Sequence, residues 1–227
     1  MVNKDSKQPL IILIHEIYGV NDHIQHIGDL LRARGVEVII PNLLNRAAFS
    51  YMDGDQAYHN FMKYIGFSRA VDDIQSVIRA NREKYEHIVL IGFSVGATIA
   101  WLCSTSEVDG VIGFYGSRIR DAVEINPSCP TLLFFSQGEK SFQVSALEPA
   151  LRGKPNTHLE WIDANHGYMN PYGRHFDQTQ YDYGFARSFA FLEEMVGYSK
   201  HESSVNITPI QQHNKMRVKR SDEACKS

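Results

Sequence analysis

Cysteine is scarce in this chain: Cys103, Cys129 and Cys225 are all there is among 227 residues, widely spaced and odd in number. They fit neither a disulfide framework nor a zinc knuckle, and such sparing use of thiols points to a reducing compartment, so a cytoplasmic location is expected. Long hydrophobic runs are missing as well. Leu10–Ile14 falls far short of the ~18 residues a membrane helix needs, and Met1 to Gln8 lacks the apolar core of a signal peptide, so no membrane partner is expected. Nor does one sign of charge dominate: 23 Lys and Arg against 26 Asp and Glu leave a formal net charge of −3. A mixed, slightly acidic surface argues against nucleic acid as the main partner.

What remains is an ordinary globular composition, 43% hydrophobic and 22% charged. A chain of this length buries roughly 70% of the surface its unfolded form exposes, so one core needs no disulfide or metal to support it. Six short apolar runs recur: Leu10–Ile14, Val36–Ile40, Ile88–Ile91, Val111–Tyr115, Thr131–Phe135 and Leu159–Ile162. Each is rich in β-branched or aromatic residues, and continuous apolarity of this length suits strands buried on both faces. Helical period fills the gaps. Ile24, Ile27, Leu30 and Leu31 share a face in a segment that Asn21 caps and Gly35 ends, and Val71, Ile74 and Ile78 do so after Ser68. A further helix is expected after Val95, and a last one from Tyr181 to Met195 with Ala186, Phe189, Ala190 and Leu192 inward. Alternating strand and helix imply an α/β fold, a mostly parallel twisted sheet of at least six strands with helices on both faces.

Residues 1–197 read as one domain. From Tyr198 to Ser227 large apolar residues thin out, and Lys200, Lys215, Arg217, Lys219, Arg220 and Lys226 outnumber Glu202, Asp222 and Glu223. Residues 198–227 are therefore expected to be a disordered basic tail, because such a composition cannot bury enough surface to offset its ordering entropy.

The sharpest chemical signal is Gly92-Phe93-Ser94-Val95-Gly96, directly after the strand at 88–91 and before the helical run Ala97–Ser104. In a nucleophile elbow the serine sits on a tight strand-to-helix turn, and glycines two residues to either side let neighbouring backbone approach without a Cβ clash. A serine hydroxyl needs a base. Of ten histidines, His166 fits best, following the sixth strand in Asp163-Ala164-Asn165-His166-Gly167, late in the chain as the order serine, acid, histidine requires. His23 and His26 lie three apart on a helix but have no evident third ligand, so solvated positions are expected and no metal is assigned. The oxyanion of an acyl-transfer intermediate needs backbone N–H donors, one after the nucleophile and one in the loop after the first strand, which selects Val95 and Ile17. Within that loop, Glu16 beside His15 in an apolar context is costly unless used or paired.

His15-Glu16-Ile17-Tyr18-Gly19-Val20-Asn21 resembles the E-I-F/Y-G-x-N loop of the dienelactone hydrolase family of α/β-hydrolases. Gly92–Gly96 is similar to its elbow, Phe114-Tyr115-Gly116 to its Y-Y-G, and Pro130–Val144 to its strand with the acid turn. His166-Gly167-Tyr168 resembles its H-G/S-F, and Tyr181–Leu192 its final helix, so the likeness covers nearly all of residues 8–196 in order. The resemblance implies Ser94 as nucleophile, His166 as base, Ile17 and Val95 as oxyanion donors, and Glu16 as the match of a glutamate that touches the resting nucleophile. It implies no metal and no organic cofactor. Glu16, Tyr18, Tyr115, Arg118 and Tyr168 are expected around a substrate pocket, and Arg174 is a further candidate for an anionic substrate group.

The chain also departs from the family's pattern. The best-known member has cysteine at the elbow, where Ser94 stands here. The acid belongs at the fourth place of a G-x-x-D turn, where Gly138-Glu139-Lys140-Ser141 puts serine. Two arginines that hold a substrate carboxylate match Gly54 and Asn170. Glu139, two residues upstream of Ser141, is the leading candidate for the acid, with Asp121, Asp163 or no acid as alternatives. The expected activity is hydrolysis of a small ester, lactone or thioester through a Ser94 acyl-enzyme. The competing readings are a degenerate hydrolase that serves as a small-molecule binding protein, and an interaction protein whose basic tail docks a partner. Oligomeric state is not legible.

Overall fold

The computed structural model describes residues 9–139 and 147–196. Ser141 and the expected tail at 198–227 lie outside the described residues. The six apolar runs form six strands, β1 (Leu10–Ile14), β2 (Glu37–Ile39), β3 (Ile88–Phe93), β4 (Gly110–Phe114), β5 (Thr131–Ser136) and β6 (Thr157–Ile162). They make one sheet in the order β2-β1-β3-β4-β5-β6, with every neighbouring pair parallel. Side chains alternate between the two faces. On β1, Ile11 and Leu13 pack with one apolar cluster and Leu10, Ile12 and Ile14 with the other, as the period of 2 demands. The outermost strand β2 is short and its side chains are exposed or half-buried, which limits the unpaired edge.

Helices cover both faces. On one lie α1 (Asp22–Arg32) and α6 (Gln178–Val196), on the other α2 (Gly54–Tyr64), α3 (Gly66–Asn81) and α4 (Val95–Leu102). A short helix α5 (Glu148–Leu151) packs Leu151 with Leu133, Phe135 and Trp101 at the β5 end of the sheet. Asn21 caps α1 as expected, its side-chain oxygen accepting from Ile24 N–H at 3.1 Å, and Gly35 follows with φ +79°. Across the middle of the sheet, Phe93, Phe114 and Phe134 stack in register, with ring centroids 4.9 and 4.6 Å apart.

Two expectations about helix faces are corrected and one is refined. His23 is fully buried rather than solvated, because it stands one turn before Ile27 on the inward face of α1. In α3 Val71, Ile74 and Ile78 do share a face on the sheet, and the periodicity missed only that Ala70, four residues before Ile74, is fully buried beside them while Val71 is half-buried at the edge of the stripe. In α6 Ala186 is exposed while Tyr181, Phe185 and Leu192 are buried, since the larger rings take the inward stripe. The aromatic-rich stretch at 43–67 divides similarly: Phe49 and Phe61 pack on the sheet, whereas Met52, Tyr58, Met62 and Tyr64 face outward.

The chain leaves β1 toward β2 on one side and returns to β3 on the other. That reversal opens a crevice beyond the carboxyl ends of β1 and β3, where open α/β sheets take their ligands.

Candidate active site

Ser94 sits in that crevice between the last residue of β3 and the first of α4, with φ 54° and ψ −114°. A serine with positive φ is strained, and the turn holds it there by close backbone packing. A Cβ on Gly92 would lie 2.2 Å from the carbonyl oxygen of Gly96, and one on Gly96 would lie 2.3 Å from that of Ile14. The two glycines are therefore sterically required, one to fold the turn and one to bring α4 against the end of β1. Ser94 N–H donates to the Phe114 carbonyl at 2.9 Å, tying the elbow to β4. Tyr115, the residue after β4, repeats the strain with φ 45°.

His166 reaches Ser94 from the loop after β6. Its Nδ1 lies 2.7 Å from Glu139 Oε2 and its Nε2 lies 3.0 Å from Ser94 Oγ. An ionised carboxylate only accepts, so Nδ1 carries the proton and Nε2 accepts from the serine hydroxyl. The Glu139 side chain is 10% exposed and that of His166 36%, a partly closed setting for the pair. The structure thus brings together Ser94, His166 and Glu139. The other two acid candidates stand elsewhere: Asp121 is exposed and ion-paired with Arg118 and Arg120, and Asp163 is exposed on the segment leading to His166.

The loop after β1 is pinned by His15. Leu43 N–H donates to His15 Nε2 at 3.1 Å, which leaves the proton on Nδ1, and Nδ1 lies 2.6 Å from the Glu16 carbonyl. Burial lowers the His15 pKa and keeps the ring neutral, as this bonding requires. Among the described residues no carbonyl engages the N–H of Ile17 or of Val95, the two expected oxyanion donors. Val95 opens α4, where helix geometry leaves N–H groups unpaired.

Glu16 itself is buried beneath the site. Oε1 accepts from the Tyr115 hydroxyl at 3.2 Å, and Oε2 faces Nδ1 of the buried His23 at 3.6 Å. Burial pushes the Glu16 carboxyl up, but His23, His166 and the Tyr115 hydroxyl outweigh it and hold the group below its ordinary value. His23 packs edge-on against Phe93, ring centroids 5.0 Å apart. This pairing was missed in the sequence, although the four-residue step to Ile27 was a usable signal.

The expected pocket lining is redistributed. Tyr115 and Tyr168 are closed off from solvent: the Tyr115 ring lies 4.8 Å from that of His166, and Tyr168 packs behind it at 5.5 Å, so they support the base rather than wall a pocket. Arg118 is committed to Asp121. Tyr18 is half-buried and stacks edge-on with Tyr51, centroids 5.0 Å apart. A polar cleft of about 360 Å³ runs beside the loops that carry the acid and the base, lined by Gly138, Asp163, Asn165, Arg174 and Asp177 among others. Among the described residues no cluster of three or more His, Cys, Asp or Glu side chains is placed to hold a metal ion, and no helix is long and apolar enough to cross a membrane.

A parallel sheet of this order, covered by helices on both faces and with its crevice at the switch point, is the α/β-hydrolase fold. The family model of the dienelactone hydrolase family matches residues 1–196, and the chain belongs to that family. It is 46% identical to the uncharacterized protein YczH of Bacillus subtilis over 176 residues, 76% of this chain and 86% of that one. It is 24% identical to carboxymethylenebutenolidase 1 of Cupriavidus pinatubonensis over 200 residues, 81% and 85% of the two chains. Among solved structures, a dienelactone hydrolase-like promiscuous phosphotriesterase from metagenomic libraries superposes with a TM-score of 0.69 at 16% identity, covering 85% of this chain and 88% of that one.

Proposed function

We propose that this protein hydrolyses small carboxylic esters, lactones or thioesters through an acyl-enzyme on Ser94. The observation that carries the reading is the unbroken line of hydrogen bonds from Ser94 Oγ through both nitrogens of His166 to Glu139. His166 Nε2 takes the hydroxyl proton as Oγ attacks the scissile carbonyl, and the Glu139 carboxylate stabilises the imidazolium that forms. The N–H groups of Ile17 and Val95 receive the oxyanion. Collapse of the tetrahedral intermediate expels the alcohol or thiol, which takes the proton from Nε2. Water then repeats the sequence on the acyl-enzyme, with His166 again as the base, and releases the acid and free Ser94. Family membership and the carboxymethylenebutenolidase relatives support an ester or lactone as substrate.

The test is hydrolysis of p-nitrophenyl acetate and butyrate by the wild type and by Ser94→Ala and His166→Ala, together with labelling by a serine-directed phosphonate. Loss of at least about a thousandfold in kcat in both variants, with label on Ser94, is expected. A wild type no faster than Ser94→Ala would sink the proposal and leave a binding protein on a hydrolase scaffold.

A further inference from the structure

Beside the β1 loop, three segments meet in a corner built of neutral hydrogen-bonding groups. Asn21 caps α1, Tyr51 opens the 3-10 turn Tyr51–Asp53 after β2, and Asn170 stands four residues beyond His166. Backbone N–H groups fix the orientation of both amides. The side-chain oxygen of Asn21 accepts from Ile24 N–H at 3.1 Å, and that of Asn170 from Tyr172 N–H at 2.9 Å. Their amide nitrogens are thereby turned to the Tyr51 hydroxyl, and each donates to it at 3.0 Å.

A hydroxyl oxygen has two lone pairs, and here both are taken. The hydroxyl hydrogen is what Tyr51 has left to offer, and no acceptor meets it among the described residues. Burial raises the Tyr51 pKa well above the ordinary tyrosine value, so the group remains a neutral donor. Tyr18 packs edge-on against the same ring, and a Cβ on Gly54 would come within 3.1 Å of the Tyr18 hydroxyl, so the glycine keeps that side of the corner open. Glu16 and Asp22 act on Tyr51, and Glu16 and Asp55 on Tyr18. Their negative field disfavours an anion. Arg174 opposes it at Tyr18, yet is exposed and donates from Nε to His175 at 3.0 Å.

We infer that Tyr51, clamped by Asn21 and Asn170, is a specificity-determining residue that donates its hydroxyl hydrogen to an uncharged oxygen of the substrate other than the scissile carbonyl. The inference rests on the ester-hydrolase reading of the Ser94 site and deepens it. The preferred substrate is then an ester or lactone carrying a second carbonyl or an ether oxygen.

The experiment compares the p-nitrophenyl esters of pentanoate, 4-oxopentanoate and 3-methoxypropanoate in the wild type and in Tyr51→Phe. Tyr51→Phe is expected to lower kcat/KM about tenfold for at least one oxygen-bearing ester and less than twofold for pentanoate, the loss of one neutral hydrogen bond. Equal effects on all three esters would overturn the inference. Binding of the corresponding methyl esters is titrated by NMR in Ser94→Ala with and without Tyr51→Phe, so that recognition is read where no turnover occurs. If the wild type proves no faster than Ser94→Ala, the hydrolase reading fails and the binding ratio alone decides Tyr51. A ratio near one for every ester overturns the assignment, and a selective loss upholds it.

Discussion

Glu139 occupies a turn position two residues ahead of the family's acid, and its side chain is longer than aspartate by one methylene, about 1.5 Å of extra reach. That reach brings Oε2 to 2.7 Å from His166. Glu139→Gln keeps a polar partner of the same shape but removes the charge that stabilises an imidazolium. A fall in kcat of about 10²–10⁴ with little change in KM is expected, by comparison with the tautomer and charge loss in serine proteases. Asp121→Asn and Asp163→Asn should stay within about twofold, since neither carboxylate meets His166. A steady-state comparison of the three decides which acid serves. His23 gives a second residue-scale prediction. Replacing it by Leu adds apolar volume to an apolar face, yet leaves Glu16 buried without the partner 3.6 Å away. Unfolding in urea should show a loss of about 3 kcal/mol, and much less when Glu16→Gln is added, because the unpaired buried charge is then gone. Ser94 and His166 were legible because motif and chain order constrain them. Glu139 stayed one of several candidates, because which carboxylate meets His166 depends on side-chain length and loop path. The Tyr51 corner was invisible, since Asn21, Tyr51 and Asn170 come together only through three separate loops.

At the scale of elements, the four inner strands β1, β3, β4 and β5 were readable as apolar runs because they are covered on both faces, whereas the outer strands β2 and β6 showed through the apolar residues that flank Glu37 and Glu160. Helix faces were less legible. Periodicity gives the stripe but not its centre, which in α6 is set by where Tyr181 and Phe185 fit against the sheet rather than by Ala186. The elbow is the element where local sequence and packing agree most closely. Gly92→Ala and Gly96→Ala each place a Cβ within 2.3 Å of a backbone carbonyl oxygen, and backbone has no rotamer with which to yield. Each should cost about 3 kcal/mol or more, measured by urea denaturation, and remove activity even where folding survives. Gly28→Ala is the control. Its nearest neighbour is the terminal methyl of Ile40 at 2.8 Å, which can turn away, and a loss under about 1 kcal/mol is expected.

For the whole molecule, the loop that completes the site also makes the fold acid-sensitive. His15 is buried and neutral, held by Leu43 N–H on one nitrogen and the Glu16 carbonyl on the other, and burial sets its folded pKa below the ordinary 6.5. Burial depresses the half-buried His26 in the same direction. For such a histidine the unfolded chain binds the proton more readily than the folded one. Its contribution is intact above about pH 6.5 and is lost as the pH falls below that value toward the folded pKa. Glu16, whose carboxyl is also held below its ordinary 4.5, adds stability present above that value and lost only as the pH falls through its own folded pKa. Acidification therefore acts in two stages, the imidazoles first and the carboxylate later. The fully buried His15 contributes at most about 1.4 kcal/mol per pH unit, the half-buried His26 less because solvent screens it, and 1 kcal/mol moves the midpoint of a domain this size by about 2–4 °C. Between pH 7 and pH 5.5 the melting temperature should fall, with at most about 5 °C of the drop coming from His15. His15→Asn, which retains one donor and one acceptor but does not titrate, should lower the midpoint at pH 7 and flatten its pH dependence. An unchanged slope in that variant would show that the lock between the β1 loop and Leu43 is not what acid undoes.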